Sequence, residues 1–151
     1  MKRAGAHRRP AFHVVLIAAV LLGSCYSSNY QREMLASVAL VANLSDKLSD
    51  YCHVDFVVDR HPLSSEEMGE FYYGLKKARA FQQMTASRHG TETSVQAFAE
   101  LVDAYESFIR DADQYRLDPS HTPEQLEQLS KDHDLVEQRA DGVKRALGTE
   151  S

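Results

Sequence analysis

The sequence predicts an all-α protein, an antiparallel up-down four-helix bundle that follows a cleaved signal peptide. Apolar residues recur at helical spacing in four segments, and Gly or Pro residues separate these segments. The 151 residues are 43% hydrophobic and 26% charged, which is typical of one folded domain and too apolar for a disordered chain. Segments of about 25 residues with short connections favour antiparallel neighbours.

The last segment has the most regular pattern. Thr122 is expected at the N-cap, Pro123 at the first helical position, and Gln125 where a capping box places its second polar side chain. Gly148 is expected to end this helix. The apolar seam steps by three or four positions along Leu126, Leu129, His133, Val136, Ala140, Val143 and Leu147.

The two preceding segments repeat this spacing. Thr93 and Gln96 predict a capping box for the third helix, and Asp118-Pro119-Ser120 predicts its end. Ser64-Ser65-Glu66-Glu67 predicts the start of the second helix, which should end near His89-Gly90. The third helix has the seam Val95, Phe98, Val102, Tyr105, Ile109 and Ala112, and the second has Met68, Phe71, Leu75 and Ala78, with Phe81 on its flank.

The first segment leaves two alternatives. No Gly or Pro occurs from residue 26 to 61, so a helix could continue to about Arg60. Val54, Phe56 and Val58 also lie at alternate positions, as the apolar residues of a short strand would. A lone strand would have no partner, so a helix or an extended linker is favoured. The helical face would contain Met34, Val38, Val41 and Leu48, with Ser45 between them.

Charge is unevenly distributed along the chain. Residues 1–24 contain four Lys or Arg and no acidic residue, so the remainder has 13 basic against 22 acidic residues, a net charge of −9. Such a domain repels phosphate backbones, which argues against nucleic-acid binding. Three ion pairs at i,i+4 spacing are predicted on outer helix faces: Glu106–Arg110, Glu127–Lys131 and Asp141–Arg145.

The first 24 residues have the composition of a signal peptide. A basic start precedes an apolar run at residues 11–23. As a helix this run would be roughly 20 Å long, whereas a bilayer core of about 30 Å requires about 20 apolar residues. The run therefore fits the hydrophobic region of an export signal better than a membrane span.

The apolar run ends in Leu22-Gly23-Ser24-Cys25, an aliphatic residue, two small residues and a cysteine. This tetrad resembles the lipobox of bacterial lipoproteins, and the resemblance covers residues 1–25. It implies a diacylglyceryl group on the Cys25 thiol, cleavage before Cys25, and acylation of the new amino group. The expected division is signal peptide 1–24, lipidated tether 25–29 and helical bundle domain 30–148. A plain secretory peptide with an incidental cysteine is the alternative.

The resemblance also implies a location. Tyr26, rather than Asp, follows the cysteine, and in the lipoproteins of enterobacteria this favours the outer membrane, facing the periplasm. The tether residues 26–29 would reach at most about 14 Å when extended. The folded domain is therefore expected to lie close to the membrane surface.

Two residues of the remaining chain invite chemical hypotheses. Cys52 is expected to be a buried small hydrophobe, because catalysis would need a nearby base and a depressed pKa. His133 is expected to be hydrogen-bonded or partly exposed. As a haem ligand its natural partner would be Met34, which an antiparallel bundle would place roughly 15 Å away along the axis.

The di-iron Glu-x-x-His motif and the glycine patterns of nucleotide-binding and hydrolase sites do not occur. The sequence predicts no cofactor, no metal centre and no catalytic residue.

Phe71, Tyr72 and Tyr73 form the densest aromatic cluster. Three successive helical residues fan over about 200°, so one or two of them must lie outside the core stripe. Rim packing is the plainer interpretation, and contact with a partner or a membrane interface is the functional one.

These features predict a non-catalytic binding or scaffolding module. It would be held to the membrane through Cys25 and would bind a protein of the cell envelope, as an accessory to a membrane assembly. The alternative is a metal- or small-ligand-binding bundle that uses His133, Cys52 or histidines near the helix ends, which are His53, His61, His89 and His121.

Overall fold

The computed structural model describes the backbone of residues 11–58, 63–89 and 92–149, and the side chains of residues 29–53, 63–89 and 92–149. These residues form four helices: α1 (Ala11–Val58), α2 (Ser65–His89), α3 (Thr93–Leu117) and α4 (Pro123–Ala146). No strand occurs in these ranges, and the predicted all-α four-helix bundle is confirmed. The predicted signal peptide begins in residues outside the description, and the side chain of Cys25 is also outside it.

The chain divides into two compact units, Met1–Met34 and Leu35–Ser151. In the first unit, α1 begins at Ala11, and the Arg32 guanidinium donates a hydrogen bond to Asn29 Oδ1 at 3.1 Å. The second unit contains the bundle. None of the described helices combines the length and apolarity needed to span a membrane.

The remainder of α1 decides between the two alternatives for the first segment. Its backbone is helical as far as Val58, so residues 54–58 belong to a helix and not to a strand. Val38, Val41 and Leu48 are buried, as the helical seam predicts. Ser45 is buried in the same face, and its hydroxyl oxygen has no hydrogen-bond partner among the described residues.

Capping boxes are present at the starts of α2 and α4, and the box predicted for α4 is confirmed. At α2, the Glu67 amide donates to Ser64 Oγ at 3.1 Å, and the Ser64 amide donates to Glu67 Oε2 at 2.7 Å. At α4, the Gln125 amide donates to Thr122 Oγ1 at 3.3 Å, and the Thr122 amide donates to Gln125 Oε1 at 2.8 Å. Both hydrogen bonds in each box satisfy backbone groups that a helix start leaves without an intrahelical partner.

The predicted capping box at α3 is wrong by one residue. Glu92 is the N-cap, with an extended backbone and no side-chain cap bond, and Thr93 is already helical. A side chain inside the helix does not point back at the first N–H groups, so Thr93 cannot cap them. The Glu92 carbonyl instead accepts hydrogen bonds from the amides of Val95 and Gln96.

Asp118 ends α3 and connects it to α4. Its backbone is extended, and its carboxylate accepts hydrogen bonds from the Ser120 amide and hydroxyl and from Gln125 Nε2, at 2.6–2.9 Å. These donors lower the pKa of Asp118, with the Ser120 hydroxyl contributing most. Asp118 therefore ends α3 and is also hydrogen-bonded to the first turn of α4.

Gly148 ends α4 as predicted. It has φ +70°, a conformation that glycine adopts without steric cost. The Gly148 amide donates to the Arg145 carbonyl, and the Thr149 amide donates to the Lys144 carbonyl. This is the hydrogen-bond pattern of a Schellman motif, which satisfies carbonyls at the helix end.

Contacts between the helices establish the antiparallel order. In each neighbouring pair, residue numbers rise along one helix as they fall along the other. The α1–α2 interface pairs Leu44 with Gly74 and Lys47 with Glu70, the α2–α3 interface pairs Phe71 with Tyr105 and Phe81 with Phe98, and the α3–α4 interface pairs Glu100 with Arg139 and Phe108 with His133. Asp46 and His133 join α1 to α4 and complete the ring.

Aromatic side chains fill the centre of the bundle. Phe71, Phe98, Tyr105 and Phe108 are fully buried. The Tyr105 hydroxyl donates to the Phe71 carbonyl at 3.4 Å, and burial raises the pKa of Tyr105 well above its usual range. Above this layer, Gly74 faces Leu44 of α1, where the absence of a side chain admits the leucine.

One of the three predicted i,i+4 ion pairs is present, Glu127–Lys131 at 2.7 Å. Glu106 pairs instead with Arg79 of α2, because its face of α3 borders that helix. Asp141 pairs with Lys144, three positions along, instead of with Arg145.

Candidate functional site

The predicted aromatic contact site is divided between the core and the surface. Phe71 is fully buried, with Tyr51 packed edge-on at a centroid distance of 6.3 Å. Its inclusion in a partner-binding surface is therefore wrong, because its position on the α2 seam directs it inward. Tyr72 and Tyr73 are 44% and 59% exposed, and as a partner contact they stay a prediction.

Polar neighbours support each of these two tyrosines. The Tyr72 hydroxyl donates to Asp113 Oδ2 at 3.2 Å, and burial together with the Asp113 charge raises the pKa of Tyr72. Arg116 holds that aspartate at 2.6 Å. The Lys77 ammonium lies 4.6 Å from the centre of the Tyr73 ring, within cation–π range. We call Tyr72 and Tyr73, with Lys77, the tyrosine patch.

His133 makes a polar contact between the first and last helices. Its Nε2 lies 2.9 Å from Asp46 Oδ1, and its ring packs at a tilt against Phe108 with centroids 5.9 Å apart. The side chain is 19% exposed, so the prediction of a hydrogen-bonded, partly exposed histidine is confirmed. Glu137 lies one turn further along α4. One possible metal-ligand atom from each of Asp46, His133 and Glu137 lies within 4.8 Å of the other two.

This three-residue cluster was not predicted from the sequence. The sequence does indicate that His133 and Glu137 are neighbours, since residues four apart lie on the same face of a helix. The sequence does not indicate that Asp46 is close to His133, because 87 positions separate the two residues and only the packing of α1 on α4 brings them together.

Cys52 is 3% exposed, in agreement with its interpretation as a buried small hydrophobe. The neighbouring His53 is exposed, as expected for adjacent residues that diverge on a helix. The structure does not bring Cys52 together with this histidine.

His89 and His121, two further histidines near the helix ends, have different neighbours. His89 Nδ1 lies 2.9 Å from Glu92 Oε1. His121 has φ 42° and packs against Tyr115 with ring centroids 4.7 Å apart. His61 lies outside the described residues.

A cleft of about 210 Å³, with polar and apolar side chains in its lining, lies between α3 and the first turns of α4. Nearby, the Gln128 side chain donates to Asp132 Oδ1 at 2.8 Å, and Asp132 is buried. Burial raises the pKa of Asp132, and the negative charge of Asp111 raises it further. The cleft presents amide and carboxyl groups to solvent, and its lining consists of Asp111, Gln114, Tyr115, Gln125, Gln128 and Leu129.

Comparisons of the chain with protein-family models, with curated proteins and with solved structures gave no match.

Proposed function

We propose that this protein is a lipid-anchored, non-catalytic module of the bacterial cell envelope, which binds or scaffolds a protein partner of a membrane assembly. The observation that carries the proposal is the tetrad Leu22-Gly23-Ser24-Cys25 directly after a basic start and an apolar run. A cysteine in this context is the lipid acceptor of bacterial lipoproteins. The chain that follows is a helical bundle, a fold that presents large side-chain surfaces.

The anchor supplies membrane attachment without a spanning helix. Each buried CH₂ group contributes about 0.8 kcal/mol to membrane binding, so one acyl chain holds a protein marginally and two or more hold it stably. The diacylglyceryl group and the amide-linked chain together meet this requirement. Residues 26–29, which are helical in α1, are the only residues between Cys25 and the expected bundle domain, so the bundle would lie near the membrane surface, where other envelope proteins are concentrated.

The tyrosine patch is the proposed contact surface for the partner. Tyrosine is enriched at protein interfaces because its ring buries a large area while its hydroxyl retains a hydrogen bond. Both rings are exposed to solvent, the Tyr72 hydroxyl donates a hydrogen bond to Asp113, and the Tyr73 ring contacts Lys77. After cleavage the chain has 13 basic and 22 acidic residues, and this negative charge opposes binding to anionic lipid headgroups. A protein partner is therefore favoured over the lipid surface.

The anchor is tested by comparing Cys25→Ala with Cys52→Ala, a matched change at the other cysteine. Wild type and Cys52→Ala should remain with the membrane fraction and carry the added mass of the acyl groups. Cys25→Ala should lose that mass and be released from the membrane fraction. A mature wild-type protein that retains residues 1–24, or that has an unmodified thiol at Cys25, would contradict the proposal.

The partner surface is tested with a photo-crosslinking amino acid introduced at position 73 in intact cells. The control position is Gln138, which is exposed on α4. Position 73 should crosslink reproducibly to one envelope protein, and this product should disappear when Cys25 is also replaced by Ala. Identical products from both positions would show non-specific collisions and remove the tyrosine patch from the proposal.

A further inference from the structure

The cluster of Asp46, His133 and Glu137 has the composition of a divalent-metal site. Its donors are one imidazole nitrogen and two carboxylate oxygens, all within 4.8 Å of one another. Imidazole and carboxylate are both ligands of zinc and other first-row divalent metals. Two carboxylates and a neutral imidazole also balance the charge of a divalent cation.

The distances are close to those that coordination requires. Metal–ligand bonds of about 2.0–2.2 Å in a tetrahedral site separate neighbouring donor atoms by about 3.3–3.6 Å. His133 Nε2 and Asp46 Oδ1 are already 2.9 Å apart, so they need to separate only slightly to admit an ion. Glu137 is exposed and has a flexible side chain, so it can complete the set by a change of rotamer.

The position of the imidazole is held by the fold. Its ring packs on Phe108, which is fully buried, and it projects from α4 toward α1. Ligands carried by rigid helices, with one ring face fixed by packing, are the arrangement that keeps a metal site ordered. Coordination requires the Nε2 lone pair, so the imidazole proton must reside on Nδ1 in the bound form.

We propose that Asp46, His133 and Glu137 bind one divalent transition-metal ion of the zinc type, which joins the first helix of the bundle to the last. Three protein ligands leave a fourth position for water. This inference is independent of the lipid anchor and of the tyrosine patch.

A second histidine–carboxylate contact provides an internal comparison. His89 Nδ1 and Glu92 Oε1 lie 2.9 Å apart, the same distance that separates His133 Nε2 from Asp46 Oδ1. The described residues that form a three-donor group are Asp46, His133 and Glu137, and His89 is not among them. A histidine–carboxylate pair alone is therefore not expected to bind zinc as tightly.

The test measures zinc binding to the untagged, full-length protein by isothermal titration calorimetry, together with the visible spectrum of bound Co²⁺. Glu137→Gln removes one ligand at an exposed position and should leave the fold intact. It is matched with Glu124→Gln, an exposed change in the first turn of the same helix. Zinc should bind the wild type and Glu124→Gln equally, and at least tenfold more weakly to Glu137→Gln. His133→Ala should abolish this binding, whereas His89→Ala should not affect it.

A second measurement covers the case in which His133→Ala fails to fold. Because zinc binds the folded protein, it should raise the Tm of the wild type, and at the same zinc concentration the increase should be smaller in Glu137→Gln. The proposal is overturned if the wild type binds no zinc, or if Glu137→Gln and the wild type show the same affinity and the same Tm increase.

Discussion

Replacement of Gly74 by Ala tests whether the close contact between α1 and α2 controls stability. Gly74 is buried in α2, and a Cβ atom at this position would collide with Leu44 Cδ1 of α1. The Tyr105 hydroxyl would lie 3.6 Å from the new atom, an ordinary contact. Gly69 is a matched control, because it lies in the same helix and a Cβ there meets no atom within 4 Å.

Two effects of opposite sign determine the result. Alanine is favoured over glycine inside a helix by about 1 kcal/mol, so Gly69→Ala should raise the free energy of unfolding by about that amount. At position 74 the same gain is opposed by about 1–3 kcal/mol for displacing a packed side chain. Gly74→Ala should therefore be about 1–3 kcal/mol less stable than Gly69→Ala, and between neutral and about 2 kcal/mol less stable than the wild type.

Urea unfolding followed by circular dichroism measures these differences, and a double-mutant cycle assigns their cause. Leu44→Ala should itself destabilise the protein, by about 2–5 kcal/mol. In that background Gly74→Ala should become stabilising by about 1 kcal/mol, because the colliding methyl group is gone. A steric conflict at this contact is contradicted if Gly74→Ala stabilises the wild type as much as Gly69→Ala does, or if the cycle gives no coupling between positions 44 and 74.

Two further predictions concern the aromatic cluster and the helix connection. Phe71→Ala should cost about 3–5 kcal/mol because it empties a fully buried site, whereas Tyr73→Ala should cost no more than about 1 kcal/mol because it removes an exposed cation–π contact. Chemical denaturation distinguishes these values, and equal losses would contradict the division of the cluster. Asp118→Ala should lower the Tm at neutral pH, because hydrogen bonds from Ser120 and Gln125 favour the ionised carboxylate in the folded state. The pKa of Asp118 is lower folded than unfolded, so this stabilisation is present above the unfolded value of 3.8 and is lost as the pH falls through the folded value. Thermal unfolding across the acid range should show that the Tm values of wild type and Asp118→Ala converge as the pH falls below the folded pKa of Asp118. A Tm difference that does not change with pH would contradict a stabilising role of the ionised carboxylate.

The helices were predictable because their signals are local. A capping box or a helix-ending glycine acts within five or six residues, so Ser64, Thr122 and Gly148 marked their helix ends correctly. The seams were predictable for a related reason: a side chain repeated at helical spacing must face a single direction, and burial follows when the stripe is apolar. Local signals are less exact at the start of α3. Thr93 is a good capping residue by type, but it lies one position inside the helix, and the sequence pattern does not distinguish these two positions.

The contacts between helices needed the folded structure. Glu106 had a suitable partner four residues away, yet it pairs with Arg79 because α2 lies beside that face of α3. The close approach of Leu44 to Gly74 depends on the register between two helices, which an apolar stripe alone does not specify.

The sequence by itself determined the helical class, most helix ends, the apolar faces and the cysteine context on which the proposed anchor depends, because each is encoded within a few neighbouring residues. Only the tertiary structure decided which carboxylates surround His133. Asp46 and His133 are 87 positions apart, and their contact arises from the antiparallel packing of α1 and α4. Local periodicity specifies which way a side chain faces on its own helix, whereas its neighbours are determined by how the helices pack.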